Sequence, residues 1–70
     1  MKVMFNGEPL QVFEAYSLAD VLLEQAVKNG FNLTASVAAV NLTFVHRDSY
    51  SEYQLKDGDD IELLTAVVGG

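Results

Sequence analysis

The sequence predicts a small α+β domain in which one helix covers one face of a single sheet. Three observations predict it. Alternating apolar and polar runs lie towards both ends of the chain, one amphipathic helical stretch follows a capping serine, and turn signals separate these segments. The 70 residues suffice for one domain, and with 50% apolar residues and no cysteine its fold must be stabilised by packing.

The first two strands are predicted as a hairpin. Residues 2–6 alternate between apolar and polar faces, and residues 10–13 resume the alternation after the turn signal Asn6-Gly7. This spacing predicts a loop slightly longer than the tightest hairpin turn. Pro9 has no amide hydrogen to donate, so it suits the start of an edge strand.

A helix is predicted from Leu18 to Lys28. Ser17 is its N-cap, and Asp20 completes a capping box three residues later. Gly30 is the expected left-handed cap at the other end. The side chains predicted to face the sheet form one stripe: Leu18, Val21, Leu22 and Ala26.

The second half of the chain predicts three more strands. Residues 37–40 and 44–45 read as a strand and a short return strand around the turn Asn41-Leu42-Thr43. Residues 49–53 are expected to form a loop or a single helical turn. The turn signal at residues 56–59 then leads into the strongest strand, residues 61–67.

The two faces of the last strand should differ in exposure, because a single helix buries only one face of a sheet. We assign Ile61, Leu63 and Thr65 to the core face. The opposite face then carries a modest exposed apolar patch. Its predicted members are Leu64 and Ala66, with Met4 on a neighbouring strand.

The charge balance limits the classes of partner. Ten acidic and four basic residues give a net charge of −6, which disfavours binding to nucleic acid or to an anionic membrane and favours a partner with a basic surface. No apolar run has the length of a signal peptide or of a membrane span. We therefore expect a cytoplasmic protein.

The side chains offer little for catalysis. With no cysteine and His46 as the single histidine, the chain cannot build a Cys/His or zinc centre. Asp57, Asp59 and Asp60 lack the ligand spacing of a calcium loop, so we interpret them as a solvated turn. Since no glycine-rich phosphate loop is present either, no bound cofactor is expected.

The terminal Gly69-Gly70 is the remaining candidate site. We predict a domain over residues 1–68 and a flexible tail at residues 69–70, narrow enough to enter a partner's channel because glycine has no Cβ. The Gly70 carboxylate is ionised at neutral pH. As an electrophile it is weak, so acyl transfer from it requires activation by an enzyme that supplies ATP and magnesium.

Several segments together resemble the ThiS family, the ubiquitin-like sulfur carriers of thiamine biosynthesis. The resemblance covers nearly the whole chain and is carried by residues 3–8, 17–22, 40–47 and 55–59, and most closely by residues 61–70. Three positions depart from the family's pattern. Leu42, His46 and Tyr50 stand where the family commonly has glycine, proline and tryptophan.

The resemblance implies a ubiquitin-like β-grasp fold, with a mixed sheet of four to five strands and the first and last strands side by side. It also implies a cycle of modification. A ThiF-type adenylyltransferase, similar to ubiquitin-activating enzymes, would adenylate Gly70. Sulfur from a persulfide donor would replace AMP, and a ThiG-type thiazole synthase would accept the sulfur. Gly69 would provide clearance, and the docking residues would be Met4, Leu64, Ala66 and Val68.

Two other functions stay open on the sequence alone. The small subunit of molybdopterin synthase, or another β-grasp sulfur carrier such as those of tRNA thiolation or amino-acid synthesis, would use the same terminal chemistry in a different pathway. A non-covalent β-grasp interaction module would bind through its sheet face and leave the tail idle. In all of these readings the domain is a carrier or binding partner, not an enzyme.

Overall fold

The computed structural model describes residues 1–65, which form a mixed five-stranded sheet with one α-helix packed across one face. In chain order the elements are β1 (Lys2–Phe5), β2 (Glu8–Gln11), α1 (Leu18–Asn29), β3 (Ser36–Val40), β4 (Thr43–Val45) and β5 (Asp60–Thr65). The strand order is β2-β1-β5-β3-β4. Only β1 and β5 pair in parallel among these strands. The predicted β-grasp fold, with its first and last strands adjacent, is confirmed.

The helix begins and ends where its capping residues predict. The Ser17 side chain accepts a hydrogen bond from the Asp20 amide, and the Asp20 carboxylate accepts one from the Ser17 amide at 2.9 Å. Gly30 takes the left-handed conformation at φ 76° and closes the C-terminal end. The reciprocal cap satisfies amides that the first helical turn leaves without a partner.

The core lies between this helix and the inner face of the sheet. Leu18, Val21 and Leu22 are buried against the strands, and Ala26 is half-buried. The sheet contributes the alternate residues of three central strands: Val3, Phe5, Ala38, Val40, Ile61 and Leu63. Leu55, from the loop before β5, completes the cluster of fully buried apolar side chains.

The hairpin β1–β2 is tighter than the sequence predicts. The predicted strand at residues 10–13 lies instead at Glu8–Gln11, because Phe5 pairs directly with Glu8. Asn6 and Gly7 both have positive φ, at 49° and 84°, as a two-residue turn requires. Phe13 leaves the sheet and contacts the Tyr16 ring at a centroid distance of 5.4 Å.

Two other expectations are corrected. Thr65 is exposed, although it lies on the predicted core face, since it ends β5 where the sheet reaches solvent. Asp59 is buried, not solvated: its carboxylate accepts from the Lys56 amide at 2.8 Å and from the Asn41 side chain at 2.9 Å. The aspartate cluster therefore contains a structural acceptor that joins two turns.

Short 3₁₀ turns occupy two of the connections. One covers Leu33–Ala35, in a stretch read only as polar, and the other covers Arg47–Ser49, just ahead of the predicted turn. The predicted end of the last strand at Val67 and the domain boundary at residue 68 lie outside the described residues. Within residues 1–65 no helix combines the length and apolar character needed to cross a membrane.

Candidate functional site

The last described residue lies at one corner of the sheet. Thr65, the last described residue, pairs with Ser36 at the start of β3, and their hydroxyl oxygens are 3.0 Å apart. Four predicted site residues, Ala66, Val68, Gly69 and Gly70, lie outside the described residues. The surface around this corner is therefore the part of the described domain that lies closest to Thr65.

An exposed apolar patch lies on the open face of the sheet beside that corner. Val37 and Leu64 are a cross-strand pair, with exposed fractions of 51% and 57%. Phe44 is 71% exposed and pairs with Ala39 one strand further out. We call Val37, Phe44 and Leu64 the apolar patch. Paired residues project to the same side of a sheet, so all three share the face opposite the helix.

The sequence predicted Leu64 on this face but missed Val37 and Phe44. Residues 37–40 are a continuous apolar run, which by itself does not say which members face out. The signal that decides it is the register: Val40 pairs with Ile61, a buried residue, so Val37 must point the other way. That register is a long-range property of the fold.

Met4 lies on the same face but at some distance from the apolar patch. It is half-buried and pairs with Asp60 across the parallel β1–β5 ladder. Leu64 is four residues further along β5, which corresponds to about 13 Å at the rise of a strand. The structure thus does not bring Met4 and Leu64 together into one cluster.

An open groove of about 620 Å³ continues from the apolar patch around the outer side of β3. Val37, Phe44, Val45 and Tyr50 supply its apolar lining, and Arg47 supplies a cation. The guanidinium Nη2 of Arg47 donates to the Thr34 carbonyl at 3.0 Å. This bond places the arginine near the corner of the sheet that holds Thr65.

The single histidine has a local structural role. His46 Nδ1 accepts from the Asp48 amide at 3.3 Å and caps the 3₁₀ turn Arg47–Ser49. Its side chain is 78% exposed, and the Asp48 carboxylate lies 3.6 Å from Nδ1. Across residues 1–65, no three histidine, aspartate or glutamate side chains converge into a metal site.

The pKa of one tyrosine, Tyr16, is shifted from its ordinary value. The Tyr16 hydroxyl donates to the Glu24 carboxylate, and this hydrogen bond raises the pKa of Tyr16 above its ordinary value of 10.0. Burial and the negative charges of Glu24 and Asp20 act in the same direction. The pair joins the loop before the helix to the helix surface, away from the chain end, and we assign it to structure.

The comparison with known proteins adds a family to this geometry. The family model for the ThiS family matches residues 3–70. The chain belongs to the ThiS family. The match begins at Val3 within β1, contains the other four strands in full and runs through the terminal Gly69-Gly70.

A solved ThiS structure supports the same fold. The crystal structure of the thiamine biosynthesis protein ThiS from Geobacter metallireducens is 25% identical in sequence, covers 100% of both chains and superimposes with a TM-score of 0.78. No curated protein shows significant similarity to the chain.

The three departures from the ThiS pattern keep the backbone of the fold. His46, at a common proline position, has φ −67°, the value to which proline is fixed. Tyr50, at a common tryptophan position, is half-buried against the core, and its carbonyl accepts from the Ala19 amide at 3.0 Å. Leu42, at a common glycine position, adopts φ 70°, the left-handed region that glycine prefers.

Proposed function

We propose that this ThiS-family domain is a sulfur carrier of thiamine biosynthesis and that the Gly70 carboxylate bears the sulfur. The observation that carries the proposal is the family match, which runs through the terminal Gly69-Gly70. The Geobacter ThiS structure, whose protein is described as a thiamine biosynthesis protein and is covered over its whole length, supports it.

The chemistry follows from the weakness of a carboxylate as an electrophile. The Gly70 carboxylate attacks the α-phosphorus of ATP in a ThiF-type adenylyltransferase, and pyrophosphate leaves. ATP and magnesium belong to that partner, which neutralises the charge developing on the phosphates. The outer sulfur of a persulfide donor then attacks the acyl-adenylate and expels AMP, giving an acyl disulfide. A thiol of the partner enzymes cleaves the S–S bond, which leaves a thiocarboxylate on Gly70 and a disulfide on the enzyme side. The domain is thus a co-substrate, not an enzyme.

The final step transfers the sulfur to a ThiG-type thiazole synthase. Both enzymes must admit the same chain end, so they use the carrier in turn. Glycine at positions 69 and 70 lets the end pass a channel too narrow for side chains. We expect the cycle to run in the cytoplasm, without nucleic acid or membrane as a partner.

We assign partner docking to the apolar patch, because it is exposed apolar surface next to Thr65, the last described residue before the Gly-Gly end. Leu64 was the predicted docking residue there, and Val37 and Phe44 now join it. Ala66 and Val68 extend the proposed contact along the chain, and Met4 contributes at its far rim. The net charge of −6 favours partners whose docking surface has a basic rim.

The test is a reconstituted assay of thiazole formation with three carrier variants. Deleting Gly70 should abolish sulfur transfer while the fold survives, since terminal residues contribute little packing. Leu64→Asp should reduce transfer by about tenfold or more, the cost expected of a central docking residue.

Leu23→Asp is the matched control. Leu23 is 58% exposed, against 57% for Leu64, but it lies on the helix, which packs on the opposite face of the sheet. The Leu23→Asp variant should transfer sulfur at the same rate as the unsubstituted protein. Retained transfer by the chain without Gly70 would refute the carrier proposal and favour a non-covalent interaction module.

A further inference from the structure

We propose that β4 is a strand-docking edge of the sheet, where an extended segment of the adenylyltransferase adds beside the five strands of the domain. The identity of this partner rests on the proposed function. The physical basis lies in the described residues: an outward-facing backbone position at Phe44, an apolar groove beside it, and an opposite edge of the sheet that is protected against the same pairing.

The backbone of Phe44 points away from the sheet. β4 is an edge strand and pairs with β3 alone. The two residues of the β3–β4 turn both have positive φ, at 51° and 70°, which is the geometry of a two-residue hairpin turn. The pair that closes such a turn, Val40 and Thr43, exchanges hydrogen bonds. Because an antiparallel ladder alternates, Phe44 directs its N–H and C=O outward, and no loop in the described part of the chain gives them a backbone partner.

The opposite edge of the sheet is protected against strand addition. In β2 the pair that closes the turn is Phe5 and Glu8, so the alternation directs the backbone of Pro9 and Gln11 outward. Pro9 has no N–H to donate, and proline on an edge strand is a device that prevents unwanted pairing. β4 (Thr43–Val45) contains neither a proline nor a charged residue. Of the two edges, β4 is therefore the one open to a strand from another protein.

The side chains around this edge determine what the added strand must carry. Phe44 is 71% exposed, and a residue directly opposite on the added strand brings its Cβ within about 5.5 Å. An apolar residue at that position shields the Phe44 ring from water. The groove of about 620 Å³ continues this surface with Val37, Val45 and Tyr50. An edge for backbone pairing beside a pocket for a side chain is the arrangement by which strand addition combines affinity with specificity.

Charge and strand length favour a partner enzyme over a second copy of the chain. Each copy has a net charge of −6, so two copies repel each other. β4 has 3 residues, and two such edges centred on Phe44 exchange a single pair of backbone hydrogen bonds. Since Phe44 also belongs to the apolar patch, an enzyme that covers the patch reaches β4 as well.

The flanks of the added segment should be basic. Arg47 and Asp48 both line the groove and have opposite charges, so neither sign dominates locally. The net charge of the whole domain then decides, and it attracts a positively charged partner. The expected segment is an extended apolar stretch with lysine or arginine on either side.

The test compares proline with alanine at position 44 in calorimetric binding to the adenylyltransferase. Phe44→Ala removes the ring and keeps the N–H. Phe44→Pro removes both, and at an outward position on an edge strand proline takes no hydrogen bond from the β3–β4 ladder. Loss of one intermolecular hydrogen bond should weaken binding of Phe44→Pro by about three- to tenfold relative to Phe44→Ala. Equal affinities of the two variants would overturn strand addition at β4.

Gln11 provides the matched control on the other edge. Its backbone also points outward, so Gln11→Pro and Gln11→Ala differ in the same single donor. These two variants should bind the adenylyltransferase with equal affinity. A deficit of Gln11→Pro as large as that of Phe44→Pro would mean that edge prolines weaken binding through the fold in general, and would overturn the assignment to β4.

Hydrogen exchange tests the same contact without a substitution. In the free domain the Phe44 amide should exchange about tenfold or more faster than the amide of Val45, which pairs with Ala38 inside the ladder. In the complex with the adenylyltransferase, exchange of the Phe44 amide should slow by about tenfold or more. A Phe44 amide that is already protected in the free domain, or that exchanges equally fast in the complex, would overturn the proposal.

Binding and sulfur transfer are measured separately, which distinguishes strand addition from the carrier proposal. A normal yield of thiocarboxylate together with equal affinities of Phe44→Ala and Phe44→Pro rejects strand addition alone. A loss of affinity specific to Phe44→Pro, together with an unchanged mass of the unsubstituted domain, rejects the carrier proposal alone. If the unsubstituted domain does not bind the adenylyltransferase, strand addition to that enzyme is rejected as well.

Discussion

Replacing Leu42 by glycine should stabilise the domain. Leu42 adopts φ 70° in the β3–β4 turn, and its side chain is 86% exposed. A residue with a Cβ pays about 1–2 kcal/mol in the left-handed region. Glycine avoids this cost but makes the unfolded chain more flexible, which offsets about 0.4–1 kcal/mol. Because the exposed side chain gives up little packing, the net gain in the free energy of unfolding is about 0.8 kcal/mol.

The assay is urea unfolding of Leu42→Gly beside Leu42→Ala. Alanine removes the same side chain but keeps the Cβ and therefore the strain, so its stability should stay within about 0.5 kcal/mol of the parent. For a domain of this size the glycine variant should melt roughly 3–6 °C higher. If the Leu42→Gly variant has no higher free energy of unfolding than the Leu42→Ala variant, the left-handed strain assigned to Leu42 is refuted.

Three further predictions follow from contacts elsewhere in the domain. Asn41→Ala should lower the free energy of unfolding by about 2–3 kcal/mol. It removes two hydrogen bonds at 2.9 Å, one donated to the Asp59 carboxylate and one accepted from the Asp60 amide, and it places alanine at φ 51°. A loss of less than about 0.5 kcal/mol would contradict this prediction. Glu24→Gln should lower the pKa of Tyr16 towards 10.0, because it removes the charged acceptor that raises this pKa, as NMR of the ring would measure; an unchanged pKa would exclude the contact. Leu64→Asp should leave the midpoint of unfolding nearly unchanged, since the side chain is already 57% exposed. It should weaken binding to the adenylyltransferase by about tenfold or more in calorimetry; a variant that binds normally would remove Leu64 from the docking surface.

The pH range of the Tyr16 contact follows from the direction of its pKa shift. The folded-state pKa is raised above the unfolded value of 10.0. The hydrogen bond to Glu24 therefore stabilises the fold fully below pH 10, and its contribution is lost as the pH rises through the folded pKa. In Glu24→Gln this alkaline part of the stability profile should flatten.

Local signals in the sequence predicted the elements with their own chemistry. The capping box at Ser17 and the left-handed Gly30 set the ends of the helix, and the alternation around Ile61 and Leu63 identified the core face of the last strand. These features depend on residues within one turn or one strand of each other, so a single segment is enough to read them.

The features that sequence reasoning missed depend on register and on distant partners. Val37 faces outwards because of how β3 pairs with β5. Asp59 is buried because Asn41, from another turn, reaches its carboxylate. Arg47 meets the Thr34 carbonyl only after the chain has folded. None of these contacts is encoded by spacing within one segment.

The measurement that tests the central claim most directly is the intact mass of the protein after incubation with ATP, magnesium, the adenylyltransferase, a persulfide donor and a thiol reductant. The carrier proposal predicts that the mass rises by the difference between one sulfur and one oxygen atom. Fragmentation should place the change on Gly70, and the chain lacking Gly70 should show none. An unchanged mass with an active adenylyltransferase, or a modification elsewhere in the chain, would contradict the assignment of the Gly70 carboxylate as the sulfur-bearing group.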